Sequence, residues 1–152
     1  MTDEWRVRAA TLAQSAQAAA AEGELEHATG HVQEALALIE AEGSAKDIVF
    51  ASVLLVAADI SLVSSQLDAA EPLYNRVAWV CDELDPEGTD EGHLGPVRAR
   101  AYLGMARANA GRGENARARA GYERCLEILG GLDEPTPPSV IEAIRSELAE
   151  LG

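Results

Sequence analysis

The chain has 152 residues, and its 12 basic and 26 acidic side chains give a formal net charge of −14. This length fits a single domain with a hydrophobic core of its own. Because so acidic a surface repels nucleic-acid phosphates and anionic lipids, we expect neither nucleic acid nor a membrane among the partners.

Apolar residues recur with helical periodicity along most of the sequence, which predicts an all-α fold. Helix-forming residues dominate the composition, and aromatic residues make up only 4% of the chain. Two segments, Asp85 to Pro96 and Gly130 to Pro138, interrupt the pattern without being long enough to divide the chain into domains. The seven predicted helices lie at roughly residues 3–22, 24–42, 45–64, 67–84, 95–111, 114–130 and 138–151.

An internal repeat relates the first six predicted helices in three pairs. In the second helix of each pair, an alanine is followed four residues later by a larger side chain: Ala28 and Val32, Ala70 and Tyr74, Ala118 and Tyr122. In the first helix, small and large residues also align: Ala16, Ala58 and Ala106, preceded by Leu12, Leu54 and Tyr102. The turns between the paired helices align at Gly23, Ser65 and Gly113. Small residues at these positions allow two helices to approach closely, and large ones fill the space beside them.

This pattern resembles the tetratricopeptide repeat, in which a large and a small residue of one helix pack on an alanine and an aromatic residue of the next. The alanines that open the second helices are 42 and 48 residues apart, against a usual period of about 34. The longer period is similar to that of kinesin-light-chain repeats. The resemblance implies one domain, residues 1–152, built as a right-handed α-solenoid. Three antiparallel helix pairs (3–42, 45–84 and 95–130) would be followed by a capping helix (138–151).

The resemblance also implies a binding groove, because such solenoids bind partners on their concave face. The first helix of each pair lines that face in the family. Leu55, Leu62 and Leu103 would form its apolar floor, with Asp59 facing Arg107 or Arg100. The alternatives are that Leu55 and Leu62 pack into the core and that Asp59 forms an internal ion pair with Arg107. The candidate partner-binding residues are Gln17, Ser52, Leu55, Asp59, Leu62, Arg100, Leu103 and Arg107.

Charge is unevenly distributed along the chain. Residues 98–124 carry seven arginines against two glutamates, whereas residues 1–97 carry four basic and 18 acidic side chains. Three interpretations are open for this basic segment. It binds an acidic or carboxylate-bearing partner segment, it docks on the acidic end of another copy, or it pairs with the chain's own acidic loop, Asp82 to Glu91.

The sequence indicates a cytoplasmic location. The first residues include no basic segment of the kind that begins a signal peptide, and the longest apolar stretch, Ile48 to Ala58, is too short to span a bilayer. The only cysteines, Cys81 and Cys125, form no motif of paired cysteines, and we expect them to be reduced and buried.

The chain shows no motif for catalysis, and we expect neither a cofactor nor a metal. His27 and His31 have a spacing that can hold zinc, but no third ligand is near in sequence, and we expect a solvated helix face. The predicted function is therefore that of a non-catalytic adaptor or scaffold that binds a protein or peptide. The alternatives are a homodimeric regulatory module, which associates through Trp79, the region of Tyr74 or the acidic loop, and a groove that senses a small molecule.

Overall fold

The computed structural model describes residues 4–42, 47–89 and 94–151, and its regular secondary structure over these ranges is entirely α-helical. The described residues form seven helices: α1 (Glu4–Ala21), α2 (Leu25–Glu42), α3 (Ile48–Val63), α4 (Leu67–Leu84), α5 (Gly95–Gly111), α6 (Asn115–Gly130) and α7 (Pro138–Ala149). The predicted all-α class and the order of the helices are confirmed. The predicted bounds differ from the observed ones by no more than three residues.

The largest difference in helix bounds is at the start of α3, which begins at Ile48 and not at residue 45. Asp47 is the residue that caps the helix, with extended backbone angles of φ −128° and ψ 142°. Its Oδ1 accepts a hydrogen bond from the backbone N–H of Val49 at 2.8 Å, and its Oδ2 lies 2.5 Å from Arg6 Nη2. The side chain of Asp47 thus satisfies one of the free N–H groups of α3 and ties its start to α1.

The three turns at which the repeat alignment placed Gly23, Ser65 and Gly113 share one backbone geometry. These residues have positive φ angles of 81°, 61° and 77° respectively. In each turn, the N–H of the next residue donates to the carbonyl five positions earlier: Glu24 to Ala19 at 2.8 Å, Gln66 to Ser61 at 2.8 Å and Glu114 to Asn109 at 2.9 Å. This is the Schellman pattern, which reverses the chain at the end of a helix. The repeat seen in the sequence is therefore also a repeat of backbone conformation.

The helix α3 lies at the centre of the packing and contacts α1, α2, α4 and α5. The pairs α1–α2, α3–α4, α4–α5 and α5–α6 make the most extensive contacts, and α7 packs on α6. Contacts of α3 with both α1 and α5 bring the first helices of the three pairs next to one another. The arrangement is consistent with a helical solenoid. None of the described helices is both long and apolar enough to cross a bilayer.

A close approach between α4 and α5 depends on Gly104. A Cβ atom at position 104 would lie 2.2 Å from two ring carbons of Tyr74, which is fully buried. The ring of Tyr74 therefore rests directly on the backbone of α5, at a distance that any larger residue would prevent.

Candidate binding surface on α3 and α5

Two stripes of predicted groove residues lie on adjacent helices. On α3, Ser52, Asp59 and Leu62 follow the three- and four-residue spacing of one helix face, and on α5 Arg100, Leu103 and Arg107 do the same. The structure joins the stripes through an ion pair, because Arg100 Nη2 donates to Asp59 Oδ2 at 2.9 Å. We refer to these six residues as the α3–α5 face.

Asp59 also accepts a hydrogen bond from a buried tyrosine. The hydroxyl of Tyr74 on α4 donates a hydrogen bond to Asp59 Oδ1, so both carboxylate oxygens have a partner. Burial of the ring, followed by the negative charge of Asp59, raises the pKa of Tyr74 far above its usual value. The hydroxyl therefore stays protonated as a donor, and the three side chains form a tyrosine–carboxylate–arginine chain.

Arg107 belongs to a second hydrogen-bonded group of a tyrosine, a carboxylate and an arginine. Its Nε and Nη2 donate to the two carboxylate oxygens of Glu147 on α7, both at 2.9 Å. The hydroxyl of Tyr122 on α6 donates to Glu147 Oε1 at 3.1 Å. This two-point geometry is the strong form of an arginine–carboxylate pair. The hydrogen bond from Arg107 lowers the pKa of Glu147, and burial raises the pKa of Tyr122 to about 12.

The remaining predicted groove residues differ in accessibility. Leu55 is only 2% exposed and belongs to the main hydrophobic core, so its prediction as a groove floor is wrong and its alternative as a core residue holds. Leu62 and Leu103 are half-buried, as is Ser52, and each keeps part of its surface open. Gln17 is exposed on α1.

The arginines of residues 98–124 make contacts within the chain. Arg98 is buried between α4 and α5, where Nη2 donates to the carbonyl oxygens of Cys81 and Asp85, both at 3.1 Å. Its Nε lies 3.2 Å from Asp82 Oδ1 and its Nη1 lies 3.6 Å from Asp85 Oδ2. Of the predicted pairing between the basic segment and the loop Asp82 to Glu91, the structure therefore shows the contacts of Arg98 with Asp82 and Asp85.

Most of these acidic partners lie on helices and not in the predicted acidic loop. Arg112 donates to Asp68 at 3.0 Å and to Glu71, both in the first turns of α4. Arg124 donates to Glu127 at 2.9 Å. Asp82 and Asp85 are the contacts at the start of the loop, whereas residues 90–93 lie outside the described part of the chain.

The structure shows the surroundings of the residues that were candidates for metal binding and self-association. His27 Nδ1 lies 3.3 Å from Glu24 Oε2 on an exposed helix face. Over residues 4–42, 47–89 and 94–151, no three His, Cys, Asp or Glu side chains are grouped to hold a metal ion. Trp79 is 47% exposed, but Tyr74 is fully buried and offers no surface to a second copy.

Both cysteines are buried, as the sequence predicted. Burial raises the pKa of each thiol to about 11, so Cys81 and Cys125 are protonated at neutral pH. A protonated, inaccessible thiol is a poor nucleophile.

Sequence reasoning missed three members of the two tyrosine–carboxylate–arginine networks. These are the hydroxyl groups of Tyr74 and Tyr122, and the carboxylate of Glu147. The repeat pattern identifies the tyrosines as large packing residues and assigns no role to their hydroxyl groups. A usable signal was present, because a buried tyrosine hydroxyl needs a hydrogen-bond partner that phenylalanine would not need. Glu147 carries no comparable signal, since it lies 40 residues from Arg107.

No protein-family model matches this sequence, and no curated protein is significantly similar to it. Its function must therefore be inferred from the side chains that the fold brings together.

Proposed function

We propose that this protein is a tetratricopeptide-like helical repeat and a non-catalytic adaptor or scaffold, which binds a carboxylate-bearing protein segment on the α3–α5 face. The repeat assignment is supported by the three identical turns and by the contacts among α1, α3 and α5. The binding assignment is supported by one observation above all: two half-exposed arginines on α5 are held in fixed positions on the same face.

Arg100 and Arg107 are separated by seven residues, or about 10 Å along the helix axis. Their side chains are 49% and 43% exposed, so both guanidinium groups reach solvent. Each is anchored by a carboxylate that is itself anchored by a tyrosine. Anchoring of this kind reduces the side-chain entropy that would be lost when a ligand binds.

The anchored arginines keep donors for a ligand. Arg100 uses Nη2 for Asp59, and its Nε and Nη1 make no hydrogen bond within the described part of the chain. These N–H groups on two sides of the guanidinium can donate to carboxylate oxygens of a ligand. Leu62 and Leu103 lie beside the arginines and add apolar surface. The chemistry therefore fits a segment that carries acidic and apolar side chains.

The test compares two double variants of equal charge. Arg100→Gln with Arg107→Gln removes the two cations of the face, and Arg117→Gln with Arg124→Gln removes two exposed cations on α6. Each protein is used to capture partners from the source cells, and the captured segment is then titrated by calorimetry. We expect the first variant to weaken binding by at least tenfold and the control to bind like the unmodified protein.

Circular dichroism should show equal helix content in all three proteins, so a loss of binding reports on the face and not on folding. Equal affinity of the three proteins for the captured segment would contradict the assignment of the face.

A further inference from the structure

A separate pocket lies between the C-terminal half of α6, the loop that follows it and α7, and its volume is about 420 Å³. It does not include any residue of the α3–α5 face. Its lining residues are Leu126, Leu129, Gly130, Leu132, Pro135, Thr136, Ile141 and Arg145.

The lining combines an apolar wall with one cation. Three leucines, Pro135 and Ile141 supply apolar surface, and Thr136 supplies a hydroxyl group. Among the described residues that line the pocket, Arg145 is the only ionisable one. A small ligand site typically has this composition, with apolar sides and a few polar groups that fix orientation, and a volume of about 300–1,000 Å³.

Arg145 differs from the arginines of α5 and α6 in having no hydrogen-bond or ion-pair partner among the described residues. Each arginine between residues 98 and 124 has at least one contact within the chain. Arg145 is exposed, and it forms no ion pair or hydrogen bond with any other residue of the described ranges. Glu142, one helical turn earlier on α7, is not within ion-pair distance of it. The donors of this guanidinium are therefore unused at the edge of a pocket lined by leucines, in a protein whose net charge is −14.

We propose that this pocket binds a small amphipathic carboxylate. The apolar part would lie between the leucines of α6 and Ile141, and the carboxylate would accept hydrogen bonds from the Arg145 guanidinium and the Thr136 hydroxyl. The charge of Arg145 selects an anionic head group, and the leucine wall selects an apolar chain. This proposal does not depend on the function proposed for the α3–α5 face, because the two sites share no residue.

The test uses octanoate as the probe and octanol as its uncharged counterpart. Each is titrated into the full chain while NMR follows the methyl groups of Leu126, Leu129 and Ile141. We expect octanoate to shift these methyl signals in a saturable way. Arg145→Gln should weaken octanoate binding by about tenfold and leave the weaker octanol binding unchanged.

Two further variants separate the pocket from general effects of charge and folding. Arg8→Gln removes an exposed arginine of α1 and should bind octanoate like the unmodified protein. Gly130→Leu places a side chain at a lining position where an added Cβ meets no atom within 4 Å, and it should fill the pocket and reduce binding of both probes. Equal affinity of Arg145→Gln and Arg8→Gln for octanoate would overturn the proposal. So would octanol binding as tight as that of octanoate, or shifts spread over all helices.

Discussion

The two halves of the molecule, α1–α4 and α5–α7, are stabilised by different kinds of contact. All eight buried residues of α3 are apolar: Phe50, Ala51, Val53, Leu54, Leu55, Val56, Ala58 and Ile60. The buried residues of α5 are mostly small, and they include the polar side chains of Arg98 and Asn109. In α7, Ile144 is the only fully buried residue of the described helix.

This difference determines which contacts specify the positions of the helices relative to one another. Burying a large aliphatic side chain contributes about 1.5–3 kcal/mol, but this contribution has little directional preference. Removing one partner of a buried ion pair costs more than this. Because ion pairs and close backbone contacts require particular distances and angles, they also specify how two helices are placed. Among the described helices, α3 buries the most apolar side chains. The contacts of Arg98 and Gly104 position α5 against α4, and the pair of Arg107 with Glu147 joins α5 to α7.

The largest effect is expected from Arg98, the buried arginine that joins α4 to α5. Arg98→Met removes the guanidinium from Asp85, whose side chain is 1% exposed, and from two carbonyl groups at the end of α4. Leaving a buried carboxylate without its cation costs about 3–5 kcal/mol of unfolding free energy. Urea titration followed by circular dichroism measures this loss.

Arg100→Met is the matched control, because it removes an arginine two residues away whose ion pair is half-exposed. Its expected cost is below about 1 kcal/mol. Similar costs for the two variants would show that Arg98 does not have the structural role assigned to it.

The second effect concerns the contact between the two halves. Gly104→Ala would place a Cβ atom 2.2 Å from the buried ring of Tyr74, and the ring or the helix must move. We expect a loss of about 1–3 kcal/mol, although alanine ordinarily favours a helix over glycine. Gly130→Ala adds the same methyl group in open space and should cost nothing. Thermal unfolding of both proteins gives the comparison, which fails if Gly104→Ala is as stable as Gly130→Ala.

A smaller effect distinguishes the turns of the two halves. Ser65 and Gly113 occupy the same left-handed position, with φ of 61° and 77°. That conformation is unfavourable for residues with a Cβ atom. Ser65→Gly should therefore stabilise the protein slightly, and Gly113→Ser should destabilise it by about 1 kcal/mol. Denaturant midpoints that move in the same direction would contradict this account.

The smallest effect is the pH dependence contributed by Glu147. Its pKa in the folded protein is lowered, so its contribution to stability is present above its unfolded pKa, near 4.3, and is lost as the pH falls through the folded value. Glu147→Gln should therefore be less stable than the unmodified protein at pH 7, by under about 1 kcal/mol, and equally stable in acid. Glu142→Gln, an exposed change on the same helix, is the control. A stability difference for Glu147→Gln that is constant from pH 7 to pH 2 would exclude the mechanism.

The helices could be predicted closely because the sequence marks their ends. Gly23 and Gly113 stand at left-handed turns, and the prolines before α7 define its start. The predicted start of α3 is less accurate, because the prediction places Asp47 inside the helix, whereas its side chain caps the helix from outside. A capping aspartate and an aspartate in the first turn look alike in a single sequence.

For the candidate site, only the two rows of residues on α3 and α5 could be predicted, and not the pairing of side chains between them. The resemblance implies that Asp59 faces Arg107 or Arg100, and the internal alternative is an ion pair with Arg107. The structure instead pairs Asp59 with Arg100. That choice depends on the position of α7, which brings Glu147 to Arg107. Leu55 and Leu62 share a helix face, so spacing alone does not show that Leu55 is buried and Leu62 only partly buried. Their burial depends on the four helices that surround α3.

The contacts of Arg98 determine whether the chain can be cut between the second and third helix pairs into fragments that fold. Two carbonyl groups at the end of α4 accept hydrogen bonds from a side chain that belongs to the following helix. A fragment ending at Asp85 would contain all of α4 and both carbonyl groups but would lack both this donor and Gly104, the residue on which Tyr74 rests. The boundary between the second and third pairs in sequence is therefore not a boundary between folding units, and we expect fragments cut there to unfold from their new end.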